Sequence, residues 1–244
     1  MTSRRTGSHA GRCTIRFHGH ACFTVTFDDG PRLLLDPCAA GGLGGAVTLR
    51  APTGPWDAVL VSHEHEDHAA VHLAGGAPVL ATPGRLGSLV ASHRLAAHDE
   101  HGGRLRGGLV RMLDLRCGGL RVVHASDLGE RPDGETLAWL RTPRIDVLLA
   151  PAGGYFTLGP DGFAELVERA APRVTVPCHM ADHGVQLPQL LPSAALRERL
   201  RAWSSGQEHS ASCQEHNAHG PELTYDAGAP PAEGVWWLTP DCLP

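Results

Sequence analysis

The run His63-Glu64-His65-Glu66-Asp67-His68 follows directly on the apolar segment Ala58-Val59-Leu60-Val61. Three imidazoles and a carboxylate, delivered at the end of a buried strand, offer the nitrogen and oxygen donors that divalent zinc prefers. The competing reading is a solvated charged loop, which would draw on Lys, Glu, Ser and Gly rather than on histidine. A metal centre is the first expectation.

The chain has 244 residues, 42% of them hydrophobic and 19% charged, which suits one α/β domain of ordinary size. Its formal net charge of -5 gives no broad positive surface, so neither nucleic acid nor an anionic membrane is expected as a partner. All 21 basic residues are Arg. The absence of Lys removes Schiff-base chemistry, a phosphate-loop lysine and pyridoxal phosphate anchoring. Catalysis must therefore lean on His, carboxylates or metal.

Cys13, Cys22, Cys38, Cys117, Cys178, Cys213 and Cys242 are scattered and odd in number, with no repeated Cys-x-x-Cys. Neither a disulfide scaffold nor a zinc ribbon is indicated, and a reducing cytoplasm is the expected location. Arg4-Arg5 is not followed by an apolar signal core before Cys13, and no stretch reaches the length of a membrane span. Residues 1–12 are expected to be a flexible N-terminus, and 13–244 a single domain.

Thr14 to Phe17 and Cys22 to Phe27 alternate apolar and polar positions and read as strands. Asp28-Asp29-Gly30 is turn chemistry, and Leu33-Leu34-Leu35 is a short strand stopped by Asp36-Pro37, so the opening sheet is antiparallel. The glycine-rich stretch 40–45 lacks nucleotide-loop spacing and a following Lys, and reads as a mobile loop. Three later apolar runs, 120–123, 146–149 and 174–177, each end in a metal-competent or glycine-rich corner. Between the last two, residues 161–170 carry apolar side chains at helical spacing, so strand and helix alternate. Ligands at such strand ends can converge on one sheet edge.

His63-x-His65-x-Asp67-His68, preceded by Leu34-Leu35-Asp36-Pro37 and followed by Ser126-Asp127-Leu128-Gly129 and Pro177-Cys178-His179, resembles the metallo-β-lactamase-fold superfamily. The opening Phe17 to Phe23, His98-Asp99 before Gly103-Arg104-Leu105-Arg106-Gly107, and Gly153-Gly154-Tyr155-Phe156-Thr157 are similar to its L-ascorbate-6-phosphate lactonase-like branch. The resemblance runs from about Thr14 to about Leu190.

It implies an α/β fold, an αββα sandwich of two mixed sheets with helices on the outer faces. It also implies two divalent ions, zinc foremost with manganese or iron as alternatives. By position, His63, His65 and His98 would hold the first ion, Asp67, His68 and His179 the second, and Asp127 would bridge them. Asp36 would stand behind the ligands and orient one of them. His93, His98, His101 and His124 all fall where the third ligand of the first ion must come; the branch spacing selects His98, with His124 next. His18, His20 and His183 adjoin the motifs, and His20 is the best of these for a catalytic role beside Asp67. Cys178 alternates with His179 along a strand and reads as a buried structural thiol.

Ser126 stands where relatives usually have Gly, Met180 where Tyr is frequent, and Leu109 where a polar residue is common. These departures bear on pocket shape and forbid borrowing the relative's substrate. Beyond Leu190, residues 193–203 predict an amphipathic helix with Ser193 as N-cap, and 204–231 a flexible loop. His209, Cys213, His216 and His219 lie in that loop, where flanking Ser and Gly favour solvent over a further metal site. Val235-Trp236-Trp237-Leu238 returns to the body, covering the pocket or forming a homo-oligomer contact.

The expected activity is hydrolysis of an ester, lactone, amide or phosphodiester bond in a small metabolite by a metal-bound hydroxide, with Asp67 orienting the nucleophile. Two rivals remain. One is a diiron redox protein on the same fold, whose relatives carry Glu at the position of His65 and a flavin module for which this chain has no spare length. The other is a non-catalytic metal-binding module.

Overall fold

The computed structural model describes residues 11–105, 107–182, 184–206 and 213–241. The N-terminal stretch 1–10, His183 and His209 lie outside the described residues.

β1 (Arg12–Gly19), β2 (Cys22–Phe27) and β3 (Arg32–Leu35) form an antiparallel meander, and β4 (Ala58–Leu60) joins parallel to β3. β5 (Gly84–Leu86), β6 (Leu89–Ala97), β7 (Leu109–Cys117) and β8 (Leu120–His124) then run antiparallel. β9 (Val147–Pro151) and β10 (Val174–Cys178) add in parallel, with α1 (Gly134–Arg141) and α2 (Pro160–Ala170) in the crossovers. α3 (Ser193–Gly206), β11 (Glu215–Asn217), β12 (Glu222–Asp226) and β13 (Gly234–Trp237) complete the described chain.

The strands make two mixed sheets, a five-stranded one in the order β12-β1-β2-β3-β4 and an eight-stranded one in the order β11-β13-β10-β9-β8-β7-β6-β5. Between them lies a core in which Ile15, Phe23, Val25 and Leu60 meet Leu89, Leu115, Val122 and Val176. The outer face of the larger sheet, with Met112, Val123 and Leu148, is covered by Phe163, Leu166 and Val167 of α2 and Leu196 and Leu200 of α3. Outside the smaller sheet, Leu34 and Val59 pack on Trp56 and on Ala74 of the 3₁₀ turn Val71–Ala74.

The Leu33-Leu34-Leu35 triplet shows why a strand of this sandwich is apolar at every position. Leu33 and Leu35 face the core between the sheets while Leu34 faces outward into the smaller cluster, so both faces are buried. Burying each such side chain contributes about 2 kcal/mol, and a one-residue slip would exchange the faces.

Several sequence expectations change. Residues 204–231, expected as a loop, carry the end of α3 together with β11 and β12. β12 alternates Leu223 and Tyr225 inward while pairing with β1, a period of two too short to stand out in a polar tail. The Ser193 amide opens α3 by donating to the Asp182 carboxylate, so Asp182 caps the helix from outside it. The β6–β7 hairpin and α1 were not expected. Ser92, His93 and Arg94 are half-buried and interrupt any apolar run in β6, and α1 spans only two turns.

Candidate metal centre

β3, β4, β6, β8 and β10 all end on one rim of the sandwich, and the β1–β2 corner joins them. The corners carry His20, Asp36, the 62–68 loop, His98, Asp127 and His179. Four corner residues, His20, Asp36, Ser126 and His179, have positive φ, at 54°, 43°, 52° and 55°. Non-glycine residues avoid this region unless the surroundings enforce it, and such residues collect at functional sites.

Three groups of side chains have potential ligand atoms within 4.8 Å of one another: His63, His65 and His98; His63, His68 and Asp127; and His20, Asp67, His68 and His179. Asp127 lies at the centre. Its Oδ2 is 3.2 Å from His98 Nε2 and 3.2 Å from His179 Nε2, and its Oδ1 is 3.1 Å from His68 Nε2. His63 Nε2 lies 3.0 Å from His65 Nδ1 and 3.9 Å from Asp127 Oδ2. The structure therefore brings together all seven residues that the resemblance puts around the metals, and adds His20 to them.

The hydrogen bonds behind the rings set which nitrogen faces inward. His68 Nδ1 lies 3.0 Å from Asp36 Oδ2 and His98 Nδ1 2.8 Å from the Phe156 carbonyl. Both oxygens accept, so each Nδ1 carries a proton and each Nε2 faces Asp127. Ser62 Oγ donates to Asp36 Oδ2 at 2.6 Å and accepts from Ser126 Oγ at 2.5 Å. Its remaining lone pair, 2.9 Å from His63 Nδ1, accepts from that ring as well. Asp36 is the hub of this arrangement, for it also takes the Ser62 amide on Oδ1 and His124 Nε2 on Oδ2.

Electrostatics follow the same layout. Burial works against the charge on Asp36, yet His68 and His124 hold its carboxyl well below the usual range. Burial likewise opposes the charge on Asp127, and His179 and His68 hold it down. Burial and the neighbouring His68 push His63 down to about 3. For His68 the balance reverses: burial disfavours its charge, but Asp127, Asp67 and Asp36 raise it well above an ordinary imidazole. Three carboxylates around one ring draw a cation.

The residues fit a metal pair on their own evidence. His68 Nε2, His98 Nε2, His179 Nε2 and Asp127 Oδ1 are buried without a hydrogen-bond partner, a costly state for four converging polar atoms. Ligand atoms of one tetrahedral zinc stand about 3.4 Å apart, and the separations around Asp127 are 3.1 and 3.2 Å. Nitrogen and carboxylate donors also suit zinc, manganese and iron.

The other sequence candidates fall elsewhere. His124 is fully buried and donates Nε2 to Asp36, behind the ligands rather than among them. His101 is exposed beside Glu100, and His93 bonds Thr82 Oγ1. His18 bonds Thr24 and Asp241, away from the cluster. Cys178 packs in the core between the sheets, as alternation with His179 requires. His216 bonds the Glu233 carbonyl and stacks on Trp236.

Sequence reasoning missed Ser62 and the Phe156 carbonyl, which hold His63 and His98. Ser62 is signalled only by its place beside His63, and a carbonyl has no signal. The structure also explains Gly107 and Gly129. A Cβ at Gly107 would stand 2.6 Å from the His98 ring and 2.7 Å from the His65 ring, and one at Gly129 2.2 Å from the His98 carbonyl.

The sequence profile of the β-lactamase superfamily domain matches residues 14–179. A UPF0173 metal-dependent hydrolase from Symbiobacterium thermophilum is 31% identical over 188 residues, covering 68% of this chain and 83% of that protein. Among solved structures, a Zn-dependent hydrolase of the metallo-β-lactamase superfamily from Thermotoga maritima superposes with a TM-score of 0.67 at 23% identity, over 93% of this chain and 99% of that one. CmlA, a diiron β-hydroxylase from Streptomyces venezuelae, shares the fold with a TM-score of 0.56 at 14% identity, over 88% of this chain and 54% of its own.

Proposed function

This chain belongs to the metallo-β-lactamase superfamily and is a metal-dependent hydrolase of that fold, and we propose that it works on a small molecule with two divalent ions, zinc foremost. His63, His65 and His98 would hold one ion, Asp67, His68 and His179 the other, with Asp127 between them. Such ions, when bound, lower the pKa of water and polarise the bond under attack.

The chain's own residues do the rest. Asp36, Ser62 and the Phe156 carbonyl hold three imidazoles with their Nε2 atoms inward, so the rings need little reorientation on binding. His20 Nε2 lies 2.8 Å from Asp67 Oδ2. Burial and the adjacent His179 push His20 down to about 4, so its one proton sits on Nε2 and is donated to the Asp67 carboxylate. Asp67 lines the mouth cavity while that bond fixes its orientation, which leaves Oδ1 to take a proton from attacking water and pass it to the leaving group. His20 thus serves as a positioning residue for Asp67.

The observation that carries this reading is the convergence of buried, unpartnered Nε2 atoms on Asp127. The test is a zinc-loaded sample screened on ester, lactone, amide and phosphodiester substrates beside Asp127→Asn. Hydrolysis that chelation removes and zinc restores, with at least a hundredfold loss in the variant, is expected. Two bound ions without turnover of any substrate would overturn it. The likeness to CmlA supports a second reading, a diiron oxidative centre, which an absorption spectrum of iron-loaded protein would separate from the first.

A further inference from the structure

The cavity above Asp127 has a volume of about 330 Å³ and a divided lining. Its floor is His65, Asp67, His98, Asp127 and His179, whereas Leu43, Phe156 and Leu187 form the wall. These three side chains are half-buried and pack on Cys38, Val47, Leu49, Val185 and Leu190, a cluster separate from both faces of the larger sheet. The wall is braced from behind.

It is also held at its two loops. Val47 and Val185 form an isolated bridge, Gln186 N donates to the Ala46 carbonyl and Thr48 N to that of Gly184, so the Leu43 and Leu187 segments are tied together. Leu43 N donates to Glu66 Oε1 at 3.3 Å, which links the glycine-rich loop to the ligand loop. Glu66 itself is exposed at the rim. Glu66 is the one carboxylate among the described lining residues that is not assigned to an ion.

From this geometry we propose that the hydrolase takes esters of an uncharged, apolar acyl chain, with Leu43, Phe156 and Leu187 selecting the chain and Glu66 repelling anionic substrates. The proposal rests on the hydrolase reading above. In the reaction the oxygen of water bonds to the acyl carbon, the bond from that carbon to the alkoxy oxygen breaks, and the departing alcohol takes up a proton. The water's second proton passes to solvent, and the acyl product leaves as a carboxylate, which Glu66 repels. An acyl chain against the Leu–Phe–Leu wall gains about fourfold in kcat/KM for each methylene it buries.

The test uses zinc-loaded protein and 4-nitrophenyl esters from acetate to octanoate, with the hemisuccinate and bis(4-nitrophenyl) phosphate alongside. kcat/KM should climb with chain length until the cavity is filled, and the hemisuccinate should fall well below the neutral ester of equal length. Leu187→Ala should lower the octanoate-to-acetate ratio about tenfold, and Leu187→Arg should shift preference towards the hemisuccinate. Zinc content of each variant reports its fold. In metal-free protein, calorimetry should detect octanamide but not acetamide, with binding weakened at least fivefold by Leu187→Ala. Preference for the phosphodiester or hemisuccinate would overturn this proposal alone, as would octanamide binding indifferent to both Leu187 variants. No turnover of any substrate would overturn the hydrolase reading together with it.

Discussion

His68 Nδ1 and Asp36 Oδ2 lie 3.0 Å apart, and both side chains are wholly buried. The contact commits a carboxylate to one nitrogen of the ring, and its effect is to present the other, His68 Nε2, to Asp127.

Asp36→Asn should therefore weaken zinc binding by about 10–100-fold, the usual effect of losing a partner behind a ligand. An amide can accept from only some of the four donors that meet Asp36, the Ser62 amide and hydroxyl, His68 and His124. Competition with a chromogenic chelator measures the affinity. An undiminished value would mean that Asp36 does not orient the ligand.

His98 and His124 separate ligand from support. His98→Ala should lower zinc content from about two ions per chain towards one by elemental analysis. His124→Ala should keep about two ions but lose roughly 2–4 kcal/mol of stability, because it leaves a cavity and deprives a buried carboxylate of a donor. The opposite pattern of metal content would exchange their roles.

Ser126 combines a left-handed backbone, φ 52°, with a hydroxyl donated to Ser62. Glycine there relieves strain of about 1 kcal/mol and removes a hydrogen bond of similar worth. Ser126→Gly should accordingly melt within a few degrees of wild type while binding zinc several-fold more weakly. Ser126→Ala retains the strain and loses the hydroxyl, so it should fall in both. Equal zinc affinity in all three proteins would leave Ser126 a purely structural residue.

At the far end of the larger sheet, Arg144 holds both Glu233 oxygens, at 2.9 and 2.8 Å. Hydrogen bonds from Arg144 hold the Glu233 carboxyl below its ordinary value. A depressed folded pKa means that the stabilisation is present above the unfolded value of about 4.3 and fades as pH falls through the folded one. Both side chains are more than a third exposed, which screens the pair to about 0.5 kcal/mol. Urea unfolding of Glu233→Gln should show that deficit at pH 7 and none near pH 3; a deficit constant across that range would exclude the charge as its source.

The parts legible in the sequence are those whose signal is local. Leu33 to Leu35, β8 to β10 and α2 declare themselves because burial on both faces of a strand, or one face of a helix, leaves a run or a period. β6 hides because the half-buried Ser92, His93 and Arg94 stand side by side in its middle and break the alternation that would mark a strand. At the rim, His63 to His68 stand out by density alone. His98 needs the family resemblance, since four histidines share its interval and their chemistry is the same; the branch spacing selects His98, and the geometry sets it facing Asp127 with His124 facing Asp36. The apolar wall of the cavity is the least legible part, because Leu43, Phe156 and Leu187 are brought together from three distant loops.

The left-handed corners at His20, Asp36, Ser126 and His179 bear on how far this protein can be made heat-resistant. Glycine is the ordinary remedy for such backbone, but at each of these corners it deletes a side chain that shapes the rim. Ala171, which closes α2 with φ 49°, shares the conformation without lining the cavity, and its carbonyl would still receive Arg144 Nε after substitution. A thermostabilised variant of this enzyme should begin at Ala171→Gly and leave the rim strained.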